Sequence, residues 1–303
     1  MKKFKKYKMS SCNFFLLTSS NSDQLIPELL SSPEAKDKSS LIPLLVKASV
    51  IRPFSLDAYA ELAIKAFSES DLKGKLLSTL FDPESEYPGT IVLAYHLWQK
   101  NFYTSEEITN CIYEKYPYFG NYKSRYLFSI FSLLIKERNR DEFEQQCHNF
   151  YMTYAMGAGN MFAPFFLSLP SKSKEEIRAL IAAPYGDVGN AIVKDNVDYL
   201  KSNEINVNGT LVPSFFMATD LGQQSPSYLQ WAALCGAEQC FNFLLNAGAD
   251  AQVKDRQGRS ALQYAAAGGN LTILRELQKL VTDIDRAKET AAEYENREVF
   301  SQI

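Results

Sequence analysis

The sequence predicts an all-α protein in two parts, an N-terminal helical array followed by a short solenoid of helical hairpins. Three observations predict it. One phrase occurs twice in register: Ser227-Tyr228-Leu229-Gln230-Trp231-Ala232-Ala233 returns as Ser260-Ala261-Leu262-Gln263-Tyr264-Ala265-Ala266, an offset of 262 − 229 = 33. Apolar residues recur at helical spacing along most of the chain, whereas strand alternation is scarce. Proline, glycine and asparagine punctuate these stretches at short intervals. A chain of 303 residues holds one large or two ordinary domains, and 46% hydrophobic with 22% charged residues is the balance of a folded chain rather than a disordered one.

Residues 1–21 are expected to be a flexible basic leader. Lys2, Lys3, Lys5, Lys6 and Lys8 precede Cys12-Asn13-Phe14-Phe15-Leu16-Leu17, which imitates the start of a secretory signal. The apolar stretch is too short for one and runs into Thr18-Ser19-Ser20-Asn21-Ser22, and Met9 is an alternative start. Residues 22–186 are expected to form the helical domain. Ser55 is placed to cap a helix whose face carries Leu56, Tyr59, Ala60, Ala63 and Phe67. Ile91 to Trp98, Glu106 to Tyr113, Arg125 to Ile135, Phe143 to Tyr154 and Lys174 to Ala183 have similar patterns. The aromatic clusters Tyr113, Tyr116, Tyr118, Phe119, Tyr122 and Phe162, Phe165, Phe166 fit core packing better than a contact surface, since most aromatics in globular domains are buried.

The repeats occupy 187–303, with good copies at 225–254 and 258–281, a degenerate unit at 187–208 and a truncated one at 283–303. Ser260 is a helix cap, and Leu262, Ala265 and Ala266 follow at helical spacing, the alanines allowing close approach. Gly236 and Gly269 stand where a left-handed residue closes the first helix. Leu271, Ile273, Leu274 and Leu277 form the stripe of a second helix, as Cys240, Phe241, Leu244 and Leu245 do one period earlier. Asp255-Arg256-Gln257-Gly258 reads as a tight turn at a finger tip. Upstream, Asp195 replaces the turn glycine and 209–226 is a long connection. Downstream, Glu295 replaces it at an offset of 26, which weighs against a standard turn there.

A period near 33 with this pattern resembles the ankyrin repeat, a β-turn plus two antiparallel helices. The whole plan resembles ankyrin-repeat proteins of parasitic and amoeboid protists, in which a helical region precedes degenerate repeats. That likeness is carried by Ile51-Arg52-Pro53 leading into Asp57-Ala58-Tyr59-Ala60-Glu61-Leu62, by the Ala191 to Asn208 unit, and by Cys240-Phe241-Asn242-Phe243-Leu244-Leu245. The resemblance implies a binding role through a concave face lined by finger tips and first helices.

Residues with chemical capability are sparse. His96 lies in an apolar helical pattern, and adjacent Cys147 and His148 point about 100° apart on a helix. Cys235 and Cys240 lack metal spacing and read as small buried thiols, so no catalytic, metal or cofactor residue is expected. Gly157-Ala158-Gly159-Asn160 lacks the strand and lysine of a phosphate loop. A net charge of −3 gives no global field for nucleic acid, five cysteines without paired spacing fit the cytoplasm, and no apolar run approaches the roughly 20 residues of a membrane span.

The expected function is a non-catalytic scaffold or adaptor that binds a protein partner, alone or within a larger assembly. The contact residues implied by the resemblance are Arg256, Gln257 and Arg259 on the finger, with Leu234, Cys235, Ala267 and Gly268 at the ends of first helices. Arg256 and Arg259 are either the centre of that interface or solvated charges on a capping finger, and reversing both charges is expected to leave the fold intact. The alternative is an effector or enzyme with chemistry in the helical domain. Gly269→Val is expected to destabilise more than Gly268→Ala.

Overall fold

Periodic apolar stripes fold most of the described residues into short helices, and the computed structural model describes residues 14–84, 88–156, 162–217 and 219–303. The chain divides into two units, Met1–Ile181 and Ala182–Ile303. The five lysines of the leader, Cys12 and Met9, and the segment from Gly157 to Asn160 lie outside the described residues.

The first unit contains α1 (Ser22–Ser31), α2 (Leu41–Ile51), α3 (Leu56–Phe67), α4 (Leu72–Leu80), α5 (Gly89–Gln99), α6 (Ser105–Lys115), α7 (Tyr122–Ile130), α8 (Ser132–Arg138), α9 (Arg140–Ala155), α10 (Ala163–Ser168) and most of α11 (Lys174–Ala182). Helices α2, α3 and α5 pack on one another, and α9 packs on α10. The stripe expected on α3 is buried in full. Ser55 does not cap it through its hydroxyl, because its backbone sits at φ −113° and ψ 11°, away from the extended geometry that aims an N-cap side chain at the helix. Thr104 does cap α6, accepting the Glu107 N–H at 3.1 Å while Glu107 accepts the Thr104 N–H at 2.7 Å. The single helix expected from Arg125 to Ile135 is two helices broken at Phe131, whose ring lies 5.6 Å from Phe81 and 6.0 Å from Trp98.

The core reaches into the stretch 14–21, which was expected to belong to a flexible leader. Phe14, Phe15 and Leu17 are core residues, the Tyr59 hydroxyl donates to the Phe14 carbonyl at 2.9 Å, and Arg52 Nε donates to the Phe15 carbonyl at 2.9 Å. Three residues of the apolar pattern that imitates a signal segment are thus core, while Leu16 between them is exposed. Of the aromatic clusters, Tyr116, Phe119 and Phe166 are buried, whereas Tyr118 stands exposed.

The second unit is four hairpins: α12 (Gly186–Val193) with α13 (Val197–Ser202), α15 (Tyr228–Cys235) with α16 (Glu238–Asn246), α17 (Ala261–Gly268) with α18 (Leu271–Gln278), and α19 (Ile284–Glu293) with α20 (Arg297–Gln302). First helices stack in the order α12, α15, α17, α19, and second helices α13, α16 and α18 stack beside them. Each hairpin turns at a left-handed residue: Asp195 (φ 49°), Gly236 (68°), Gly269 (88°) and Glu295 (56°). The glycines behave as expected. Glu295 keeps the same backbone in spite of its side chain, so the doubt about the last turn is corrected.

Candidate partner-binding face

The hairpin turns link successive repeats through side chains. The Asp195 carboxylate accepts the Gln239 N–H at 3.2 Å and the Cys240 N–H at 2.9 Å, holding the start of α16. Asn270 donates to Glu238 at 2.9 Å, and Asn296 donates to the Ala266 and Ala267 carbonyls at 2.7 and 2.8 Å. Gln230 completes a capping box with Ser227 and donates to the carbonyls of Val253 and Arg259, both at 2.9 Å, tying a first helix to the next finger.

That finger is built around a buried carboxylate. Asp255 accepts the N–H groups of Gln257 and Arg259 at 2.8 Å, Arg259 Nε at 2.7 Å and the Tyr264 hydroxyl at 2.7 Å. Gly258, at φ 78°, closes the turn by donating its N–H to the Asp255 carbonyl at 2.9 Å. Burial alone would raise the Asp255 carboxyl, but the hydrogen bonds from Arg259 and Tyr264 together hold it below its ordinary value. Burial, then the bond to Asp255, pushes the Tyr264 hydroxyl up.

Left-handed turn residues fall at 195, 236, 269 and 295, so the hairpins are spaced by 41, 33 and 26 residues. The eight extra residues of the first interval lie in the connection 209–226. An isolated antiparallel bridge between Thr210 and Ser227 closes its base, and α14 (Asp220–Gln223) forms its far end. This strap folds onto the first helices. Leu211, Phe215, Phe216, Met217 and Leu221 are buried, and Trp231 and Tyr264, which occupy the same register position, have 0% exposure. The Tyr264 hydroxyl lies 3.0 Å from the Leu221 carbonyl, the Arg256 N–H donates to the Gln224 carbonyl at 3.2 Å, and Asp220 pairs with Arg259 Nη1 at 3.4 Å.

The seven residues expected at the interface are therefore not alike. Arg256 and Gln257 are exposed at the finger tip. Arg259 is held between Asp255 and Asp220, its guanidinium 5.9 Å from the Tyr264 ring, so it is part of the finger's framework rather than a free charge. Leu234 and Ala267 are buried and Cys235 is half-buried. Gly268 is a close-approach residue: a Cβ there would lie 2.4 Å from the Leu234 carbonyl oxygen. The position that sequence reasoning passed over is Asp220, and the signal for it was the length of the connection that carries it.

Residues 191–288 match the family model for ankyrin repeats in three copies. The C-terminal unit is an ankyrin-repeat stack. The match stops within α19, and the last hairpin joins the stack through the packing of α19 on α17. No curated protein matches the chain. Ankyrin repeats are protein-interaction modules, and no helix among the described residues is long and apolar enough to cross a membrane.

The reactive side chains sit in quiet surroundings. His96 Nδ1 is 3.5 Å from Asp57, and burial holds its imidazole below the usual range. Cys147 is buried, which pushes its thiol up to about 12, and neighbouring His148 is exposed. Cys240 is likewise pushed up to about 12 by burial and then by Asp195, and burial raises Cys235 too. Such thiols are poor nucleophiles at neutral pH. Among the described residues no three His, Cys, Asp or Glu side chains gather as a metal set.

Proposed function

We propose that the protein is a non-catalytic adaptor that binds one protein partner through its ankyrin unit, in the cytoplasm, with no part in nucleic-acid binding. The observation that carries this reading is the finger tip of the second ankyrin copy. Its turn is fixed by a buried carboxylate, yet it leaves Arg256 and Gln257 exposed. A rigid tip loses little freedom on binding, and arginine supplies both carboxylate pairing and stacking. Arg259 positions the tip from beneath, and the buried ends of the first helices support it. The degenerate first and last hairpins act as caps, which a stack needs where it meets water.

The test is site-specific crosslinking. A photoreactive residue at Gln257 captures a defined protein from the matching lysate, while the same residue at Asn242, exposed on a second helix, captures none. Arg256→Glu weakens that capture about tenfold and leaves the melting temperature within about 1 °C. Equal capture from Gln257 and Asn242 overturns the assignment to the finger tip.

A further inference from the structure

We propose that the first-helix face beneath the strap is a peptide-binding groove, that the strap is its resident ligand, and that the groove takes an extended apolar segment carrying an acidic residue. The pattern is set by what sits there: Phe215-Phe216-Met217 followed by Asp220-Leu221, with the apolar side chains buried and the carboxylate directed to Arg259. Trp231 and Tyr264 form an aromatic floor one repeat apart. A Cβ at Gly222 would lie 3.5 Å from the Trp231 ring and 3.4 Å from Met217 Sδ, so the strap backbone rests against that floor.

The strap fits this groove imperfectly, and the misfit is at its acidic end. Asp220 is 65% exposed and reaches only Nη1 of Arg259, at 3.4 Å. Nη2 of the same guanidinium is buried without a hydrogen-bond partner. A carboxylate set squarely across Nη1 and Nη2 makes the two parallel bonds that arginine geometry favours, which Asp220 does not. At the strap's exit, Ser225 holds a left-handed backbone at φ 52° with its hydroxyl buried and unpartnered. Both features are relieved when the strap lifts, so an incoming acidic peptide competes against a strained occupant. In the closed state, the apparent affinity for such a peptide is reduced by the fraction of molecules whose groove is open.

This inference deepens the partner-binding reading by naming the ligand's chemistry. Its test uses a fluorescent synthetic peptide of residues 213–224 and needs no cellular partner, so it can fail while crosslinking from Gln257 succeeds. Deleting residues 215–222 from the full chain restores a spacing of 33 and opens the groove. The expected result is that the deletion variant binds the peptide at least tenfold more tightly than the intact chain, and that Asp220→Lys in the peptide weakens binding at least tenfold. A cooperatively folding deletion variant that ignores the peptide, or binds both peptides equally, overturns the proposal. If the deletion prevents folding, hydrogen exchange on the intact chain decides. The amides of Met217, Gln223 and Arg256 should exchange at least a hundredfold faster than those of α17; equal protection makes the strap permanent core and overturns the groove.

Discussion

The two units hold together by different means. In the first, large rings fill irregular gaps: Phe128 stacks on Phe143 at 5.2 Å and meets Phe119 and Phe150 edge-on at 5.2 and 5.1 Å, while Tyr154 stacks on Phe166. In the ankyrin unit, alanines and glycines bring first helices close, and side-chain bonds from Asp195, Gln230, Asn270 and Asn296 repeat from hairpin to hairpin. Volume governs the first unit and register the second. Substitutions in the first should therefore cost what they remove, and substitutions in the second what they displace.

The largest expected effect is Phe128→Ala. Phe128 has 0% exposure and three ring partners, so the change should cost about 3–5 kcal/mol, the usual range for a buried aromatic reduced to alanine. Leu262→Ala, also fully buried at the junction of ankyrin hairpins, should cost about 2–5 kcal/mol. Denaturant titration checks both. A loss under about 1 kcal/mol at Leu262 would mean that the stack does not depend on that register.

Next is a buried charge in the first unit. Lys123 is 4% exposed, and its ammonium donates to the Asp82 carbonyl at 2.6 Å. Burial lowers its pKa to about 8, against the opposing pull of Asp82. A lysine whose folded value lies below its unfolded value binds its proton more tightly when unfolded. Stability contributed by this residue is thus lowest below pH 8 and rises as pH climbs toward the ordinary 10.5, by about 2–3 kcal/mol. Lys123→Met should stabilise the fold at pH 7 by about 1–2 kcal/mol and flatten that rise. Melting curves between pH 7 and 10 measure it; an unchanged slope would show that water reaches the amine.

Third is Gly268→Ala, expected to cost about 1–3 kcal/mol because the added Cβ meets the Leu234 carbonyl, a backbone atom with no room to yield. The same unfolding titration, run beside Gly269→Val, checks whether the gap between the two is as wide as turn conformation alone suggests. That expectation considered dihedrals only, and it overlooked how closely α15 and α17 approach.

Gly268 marks where the sequence stops being readable. What depends on near neighbours was legible: the 33-residue offset, the left-handed glycines and the stripe on α3. What depends on distant residues was not. Nothing near Arg259 announces that Asp220, 39 positions earlier, will hold it, and nothing near Phe14 announces Tyr59. The strap was visible only as excess length. Its destination is marked by the Leu221 carbonyl meeting the Tyr264 hydroxyl and by Gly222 lying beside Trp231, a match that appears once the helices are stacked. Of the candidate face, Arg256 and Gln257 were placed at a finger tip by the turn residues together with the ankyrin resemblance, and the framework beneath them was not.

The smallest expected effect tests register most directly. Asp195 adopts φ 49°, where a non-glycine residue is strained, yet its carboxylate accepts two N–H groups at the start of α16. Those two contributions oppose each other. Asp195→Gly removes the strain, about 1 kcal/mol, and loses a cap of similar size, so stability should stay within about 0.5 kcal/mol of the parent. Asp195→Ala loses the cap and keeps the strain, and should cost about 1 kcal/mol or more. Asp195→Asn tolerates the left-handed backbone and retains one acceptor, and should fall between them. If alanine and glycine prove equal, the carboxylate carries the whole effect and the backbone strain is absent. If glycine stabilises by more than about 1 kcal/mol, the cap is idle, and the first hairpin is held by α12 packing on α15 rather than by a side chain reaching across the register.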